Sequence, residues 1–260
     1  MASTLWEDIK KNELKPHKTE YWLFPKIEDS EEFKSRIEKI CETYIQAQTN
    51  VDKITVSSSD EKTGIQAISH SQTTPMKSGK TKRIESEYKR NGTTCLIASK
   101  NISTGQLNAF TLGQTRKEED YLKHIQDIVA SEQEKEHVII CDQLNTHKSE
   151  SLVRWVAEKI KYTYDLGIKG KTGILKSQKT RMEFLERESH KIRFLYTPKH
   201  CSWMNQIENW FGILQRKVIN QGEFPSVEDL DNKIGKFIQY YSDYLAKPIK
   251  WKFRGYNYNT

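Results

Sequence analysis

The sequence lacks any long hydrophobic run. Nothing in its 260 residues approaches the roughly 20 consecutive apolar residues that a membrane-spanning helix requires, and that excludes a helical membrane protein. The opening MASTLWEDIKKNELKPHK has no apolar stretch of the kind that drives secretion. Cysteine is scarce. The 4 present (Cys41, Cys95, Cys141 and Cys201) are widely spaced and form no C-x-x-C pair. This argues against a zinc ribbon and for reduced thiols in a cytosolic setting. Cys95 and Cys141 lie in apolar runs and are expected to act as small core residues. No internal repeat is visible.

Acidic charge is also in short supply, and unevenly so. The formal net charge is +7 and the pI about 9.0. From Asp142 onward, 21 Lys and Arg face 13 Asp and Glu, whereas the preceding half is close to neutral. A basic C-terminal half suits a polyanionic partner, nucleic acid above all.

Residues 1–30 are polar, with Pro16 and Pro25 and no helical period, and read as a connector. Phe33, Ile37, Ile40, Cys41, Tyr44 and Ile45 then recur at helical spacing after Ser30, a plausible N-cap. DKITVSSSD reads as a strand ending at Asp60. Residues 69–91 are polar and basic and read as one long loop. TTCLIASKN and QLNAFTLGQ form a hairpin across NISTG. Tyr121, Leu122, Ile125, Ile128 and Val129 mark an amphipathic helix, EHVIICD a strand, and Leu152, Val153, Val156 and Ile160 another helix. A basic irregular stretch follows, with a short helix near Arg181–Glu186, and then the strand KIRFLYTP. The long helix SWMNQIENWFGILQRKVINQG is expected to be capped by Ser202 and Gly222, with Trp203 and Trp210 in the core. A last helix starts at Ser226. Paired strands followed by β-α-β units predict an α/β fold: a mixed sheet flanked by helices, in the ribonuclease-H-like arrangement.

Two strands thus end on acids, Asp60 and Asp142, and a third acid, Glu208, lies beside the apolar stripe of the long helix. Each has an ordinary alternative: a turn for Asp60, a helix cap for Asp142, complementing a helix dipole for Glu208. Convergent carboxylates would repel one another unless a cation lay among them. Hard oxygen donors suit Mg²⁺ or Mn²⁺, and a pair of such ions can assist in-line displacement at phosphorus. Spacing alone does not make the three acids converge.

The local motifs carry more. SSDEKTGIQA, CDQLNTHKSESLVRWV and YTPKHCSWMNQIENWFGILQRK resemble the three catalytic blocks of bacterial insertion-sequence transposases of the mariner-like DDE superfamily. LGIKGKTGILKS and LAKPIKWKFRG resemble stretches of one subgroup of them. The resemblance spans roughly residues 14 to 255. It implies that Asp60, Asp142 and Glu208 are the acidic triad and the metal ligands. The activity implied is divalent-metal-dependent DNA cleavage at element ends followed by strand transfer into target DNA. Asn145 and His147 fall in the family's D-x-x-N-x-H pattern, as supporting groups or loop braces. The implied partner is double-stranded DNA, the implied assembly a homodimer, and the implied location the bacterial cytoplasm, at the nucleoid. Two departures stand out. The 65 residues between Asp142 and Glu208 exceed the spacing of many relatives, the surplus being a basic insertion at about 163–190. The helix-turn-helix region with which relatives begin has no counterpart, so residues 1–50 are expected to be a linker and helix and 51–260 the catalytic domain. A catalytically silent DNA-binding relic and another ribonuclease-H-like nuclease are the alternatives.

GKT at Gly170–Thr172 is not a phosphate loop, because the glycine that loop needs five residues earlier is Asp165. Lys148, Lys169, Lys171, Lys176, Lys199, His200, Arg216 and Lys217 are the basic residues expected to meet DNA phosphates. His200 and Cys201 lack partners at zinc-ligand spacing.

Overall fold

The computed structural model describes residue 7 and residues 30–255 apart from 75 and 82. The connector expected before residue 30 falls almost wholly outside the described residues. The chain then runs α1 (Ser30–Thr49), β1 (Ile54–His70), β2 (Thr73–Thr74), β3 (Arg83–Ile84), β4 (Tyr88–Asn101), β5 (Leu107–Gly113), α2 (Glu118–Ser131), β6 (Glu136–Cys141), α3 (Glu150–Lys159), α4 (Gln178–Leu185), β7 (Ile192–Tyr196), α5 (Gln206–Leu214) and α6 (Val227–Tyr240). Five strands form one sheet in the order β5-β4-β1-β6-β7, and β2 and β3 form a separate small ribbon. β1 pairs antiparallel with β4 and β4 with β5, while β1–β6 and β6–β7 are parallel. No described helix is long and apolar enough to cross a membrane.

Both faces of the sheet are covered, as parallel strands demand. On one face α2, α3 and α4 bring Tyr121, Ile125, Leu152, Val156 and Phe184 against Ile97, Ile139, Cys141 and Phe194. On the other, α1 packs Ile37, Ile40 and Tyr44 against Val56, Val138 and Ile140. Beside it, α5 and α6 pack Trp210, Leu214 and Ile234 against Ile65, Leu96 and Ala98. Ser149 caps α3 by accepting from the Leu152 amide, and Ser226 caps α6 through the Asp229 amide.

Five sequence expectations need correcting. β1 does not stop at Asp60: it continues to His70, pairing with β4 as far as His70↔Tyr88. The register shifts between Lys62 and Ile65, where Gly64 takes a φ of 65° that disfavours residues bearing a Cβ. Residues 69–91 are therefore largely the far end of this long hairpin plus the β2–β3 ribbon. The helix bearing Glu208 begins at Gln206, because residues 202–204 form a separate 3-10 turn. Trp203 is consequently 43% exposed, stacked on Trp251, while Trp210 is fully buried. Cys141 is buried as expected, and Cys95 is only half-buried.

Candidate active site

The parallel register places the first two acids. The last β1–β6 pair is Ser58↔Ile140, and Asp60 and Asp142 each lie two residues beyond it. They therefore lie at equal distances past the last parallel pair, Asp60 still within β1 and Asp142 one residue beyond the end of β6, at the carboxyl end of the parallel ladder, where α/β folds build their sites. Glu208 enters from the first turn of α5, which packs on β1. Asp60 and Glu208 each feel the charge of Asp142. Burial, opposed by the Glu61 amide and reinforced by the charge of Asp142, pushes Asp60 up to about 7. Partial burial and, more weakly, the same Asp142 charge also raise the Glu208 carboxyl, against a hydrogen bond from Ser202.

Asp142 differs from these two. Its Oδ1 accepts from the Leu144 amide at 2.9 Å and lies 2.8 Å from His147 Nδ1. Ser149, not Asp142, caps the following helix. The His147 side chain is wholly buried and touches Glu61 Oε1 through Nε2 at 3.1 Å, with the Glu61 side chain itself only 1% exposed. Burial disfavours a charge on His147. The Asp142 hydrogen bond, then Cys141 and Glu61, overcome it and hold the imidazole protonated, well above its ordinary range. For Asp142 too, burial pulls the pKa up, but the hydrogen bond and charge of His147 prevail and keep it below the ordinary carboxylate value. Tyr121 packs on the ring at 4.2 Å between centroids, and the Tyr196 hydroxyl donates to the His147 carbonyl at 2.8 Å. The result is a carboxylate–imidazolium–carboxylate chain beneath the site.

The remaining expected residues fall into two groups. Asn145 is exposed in the 3-10 turn that leads to His147. Lys169, Lys171, Lys176, Lys199, His200, Arg216 and Lys217 are all exposed. The first three belong to the basic insertion, whose Arg181 is buried and donates from Nε to the Lys148 carbonyl at 2.6 Å. Lys148 does not join the exposed group. It is 6% exposed, with its ammonium over the Tyr196 ring, because the 3-10 turn folds it back onto the sheet. Its position is that of a packing residue and not of a surface contact to phosphate. Sequence reasoning missed Glu61, the second partner of His147, and Asn205, which donates to Asp60 Oδ2 at 3.1 Å.

Among the described residues, no group of three or more His, Cys, Asp or Glu side chains is gathered so that it could hold a metal ion. The donor chemistry nevertheless fits a hard divalent ion. All three groups are carboxylates, two have raised pKa values, and Asp142 Oδ2 makes no hydrogen bond among the described residues.

A five-stranded mixed sheet in this order, with one carboxylate in β1, one just past the end of its parallel neighbour β6, and one on a helix packed against β1, is the ribonuclease-H-like class of fold with acids at its rim. The family model for the DDE superfamily endonuclease matches residues 55–231, and the chain belongs to that family. No curated protein matches its sequence. Among solved structures, a Mos1 transposase paired-end complex with left transposon end superposes with a TM-score of 0.55 at 12% identity. A pre-cleavage Mos1 transpososome superposes with a TM-score of 0.53 at 11% identity. Each match covers 96% of this chain and 65% of the solved chain. At such identity the likeness is one of fold, and the chain spans about two thirds of the length of those proteins.

Proposed function

We propose that this chain is the catalytic domain of a transposase of the bacterial insertion-sequence type. It cuts double-stranded DNA at element ends, transfers the freed 3′ strand into target DNA, and works as a homodimer in the bacterial cytoplasm. Asp60, Asp142 and Glu208 are its catalytic acids and would hold two Mg²⁺ or Mn²⁺ ions. Such ions, when bound, supply the positive charge that favours an attacking oxygen and a leaving oxygen at phosphorus. The observation that supports this reading is that Asp60 and Asp142 each lie two residues past the last β1–β6 pair, with Glu208, on a helix packed against β1, feeling the charge of Asp142.

The protein's own groups divide the work. His147 holds the Asp142 carboxylate ionised and in place from below, and Glu61 fixes the ring from its other nitrogen. Asn145, exposed at the start of the turn that carries His147, would meet a phosphate oxygen or water. Lys169, Lys171, Lys176, Lys199, His200, Arg216 and Lys217 supply the positive surface along which the DNA backbone lies.

The test is nicking and strand transfer on duplex DNA bearing element ends, with Mg²⁺ or Mn²⁺, for the wild type and Asp142→Ala. Loss of at least about a thousandfold in the variant with DNA binding retained is expected, in line with removal of a group that acts directly on the reaction. Full activity in Asp142→Ala would end the proposal. Salt-sensitive DNA binding without cleavage under either metal would mark a relic instead, and cleavage confined to RNA–DNA hybrids a different nuclease.

A further inference from the structure

Asn205 occupies the N-cap of α5, three residues before Glu208, yet its side chain caps nothing in that helix. Asparagine is among the strongest N-cap residues because its carbonyl oxygen ordinarily accepts from a first-turn amide. Here the side chain is turned to the strand. Its Nδ2 donates to Asp60 Oδ2 and to the Ser59 carbonyl, both at 3.1 Å, and its Oδ1 accepts from the Ser58 hydroxyl. Ser58 Oγ in turn accepts from the Ile207 amide at 2.8 Å, so the strand supplies the cap that the asparagine withholds. Ser58 and Ser59 are wholly buried and Asn205 is 1% exposed, so water does not compete for the bonds to the two serines, and the bond to Asp60 is part-buried. The Tyr44 hydroxyl, from α1, donates to the Met204 carbonyl at 2.7 Å and braces the same point.

Resting on the function proposed above, we propose that Asn205 is a positioning residue for the acidic site. It sets the orientation of the Asp60 carboxylate and its separation from Glu208. The link is short and stiff: one amide ties residue 60 of the strand to the helix turn that bears residue 208. A neutral donor suits the role. It steadies an ionised carboxylate without placing a cation where a metal ion would compete with it.

The experiment compares wild type with Asn205→Ser, which can still cap the helix but is too short to reach Asp60. Mn²⁺ uptake by the DNA-free protein is read from the electron paramagnetic resonance signal of the free ion. Cleavage is measured against metal concentration, and thermal melting is followed alongside. Half-saturation by Mn²⁺ should rise by about tenfold or more, as for other groups that orient metal ligands, with a parallel rise in the metal needed for cleavage. Excess metal should restore part of the rate. A lower melting temperature with unchanged half-saturation would mean a merely structural residue and would overturn the inference. Should Asn205→Ser fail to fold, Asn205→Gln, which keeps the amide but moves it by one methylene, is read by the same two outcomes. Wild-type protein that binds Mn²⁺ but cleaves no DNA removes the proposed reaction and leaves this inference to be judged on Mn²⁺ binding. Wild-type protein that takes up no Mn²⁺ overturns both.

Discussion

Replacing Asp60 with asparagine should make the metal-free protein more resistant to unfolding as pH rises. Burial and the Asp142 charge lift this carboxyl from an ordinary 3.8 to about 7. The folded state therefore binds the proton more tightly than the unfolded chain does. The favourable contribution is complete below pH 3.8 and is lost as pH climbs through 7. At 1.36 kcal/mol per pKa unit, the ionised group opposes folding by up to about 4 kcal/mol, and solvent at this partly exposed position reduces that to about 2 kcal/mol. Asp60→Asn keeps only one accepting oxygen, so one of the two bonds from the Glu61 amide and Asn205 is sacrificed, a loss of about 1 kcal/mol that does not depend on pH. The signature is thus a gap that changes with pH. Relative to wild type, the variant should gain about 1 kcal/mol between pH 5 and pH 8, or roughly 2–4 °C in melting temperature for a chain of this size. Calorimetric melts in EDTA at the two pH values measure it directly. A gap that stays constant, or moves the other way, would show that Asp60 is not electrostatically frustrated and would undo the account of the site.

Two other perturbations probe its surroundings. His147→Ala leaves Glu61 and Asp142 facing each other beneath the site without the imidazolium between them, and should cost about 3–5 kcal/mol in urea unfolding; a loss under about 1 kcal/mol would mean that the histidine is neutral. Replacing Lys169, Lys171 and Lys176 together by alanine should weaken duplex binding for all sequences alike and flatten the salt dependence by a log–log slope of up to about 2.7. An unchanged slope would place the insertion away from DNA.

Amphipathic elements were legible in the sequence because their signal is local. Ile37, Ile40 and Tyr44, or Leu152, Val153 and Val156, repeat at helical spacing and are buried as that spacing demands. The end of β1 was not legible. Glu61, Lys62, Thr63 and Gly64 read like a turn, yet the backbone goes on pairing with β4 whatever those side chains are, and Ile65 and Ala67 return to the core after the bulge. The start of α5 misled for a related reason. Ser202 has the right chemistry for a cap, but a 3-10 turn intervenes, and Asn205 was the residue at the boundary. Glu61 left no sequence signal. It follows Asp60 directly, so a strand turns it to the opposite face, and its partner His147 is 86 residues away.

The charge arrangement at the rim explains why these hidden residues matter. Glu61 and Asp142 share the imidazolium of His147, so the inner part of the cluster is compensated within the protein. Asp60 and Glu208 have no ion pair among the described residues, and both have raised pKa values. A fold selected for stability alone would pair these two groups or replace them, since an ionised carboxylate that is partly buried and near the Asp142 charge costs stability. This chain instead leaves both without an ion pair among the described residues, in a sequence whose net charge is +7. The negative charge left over at Asp60 and Glu208 would repel a DNA phosphate on its own. On the function proposed above, that charge would become useful when a cation sat between protein and phosphate, and the cost in metal-free stability would be the measurable trace of it.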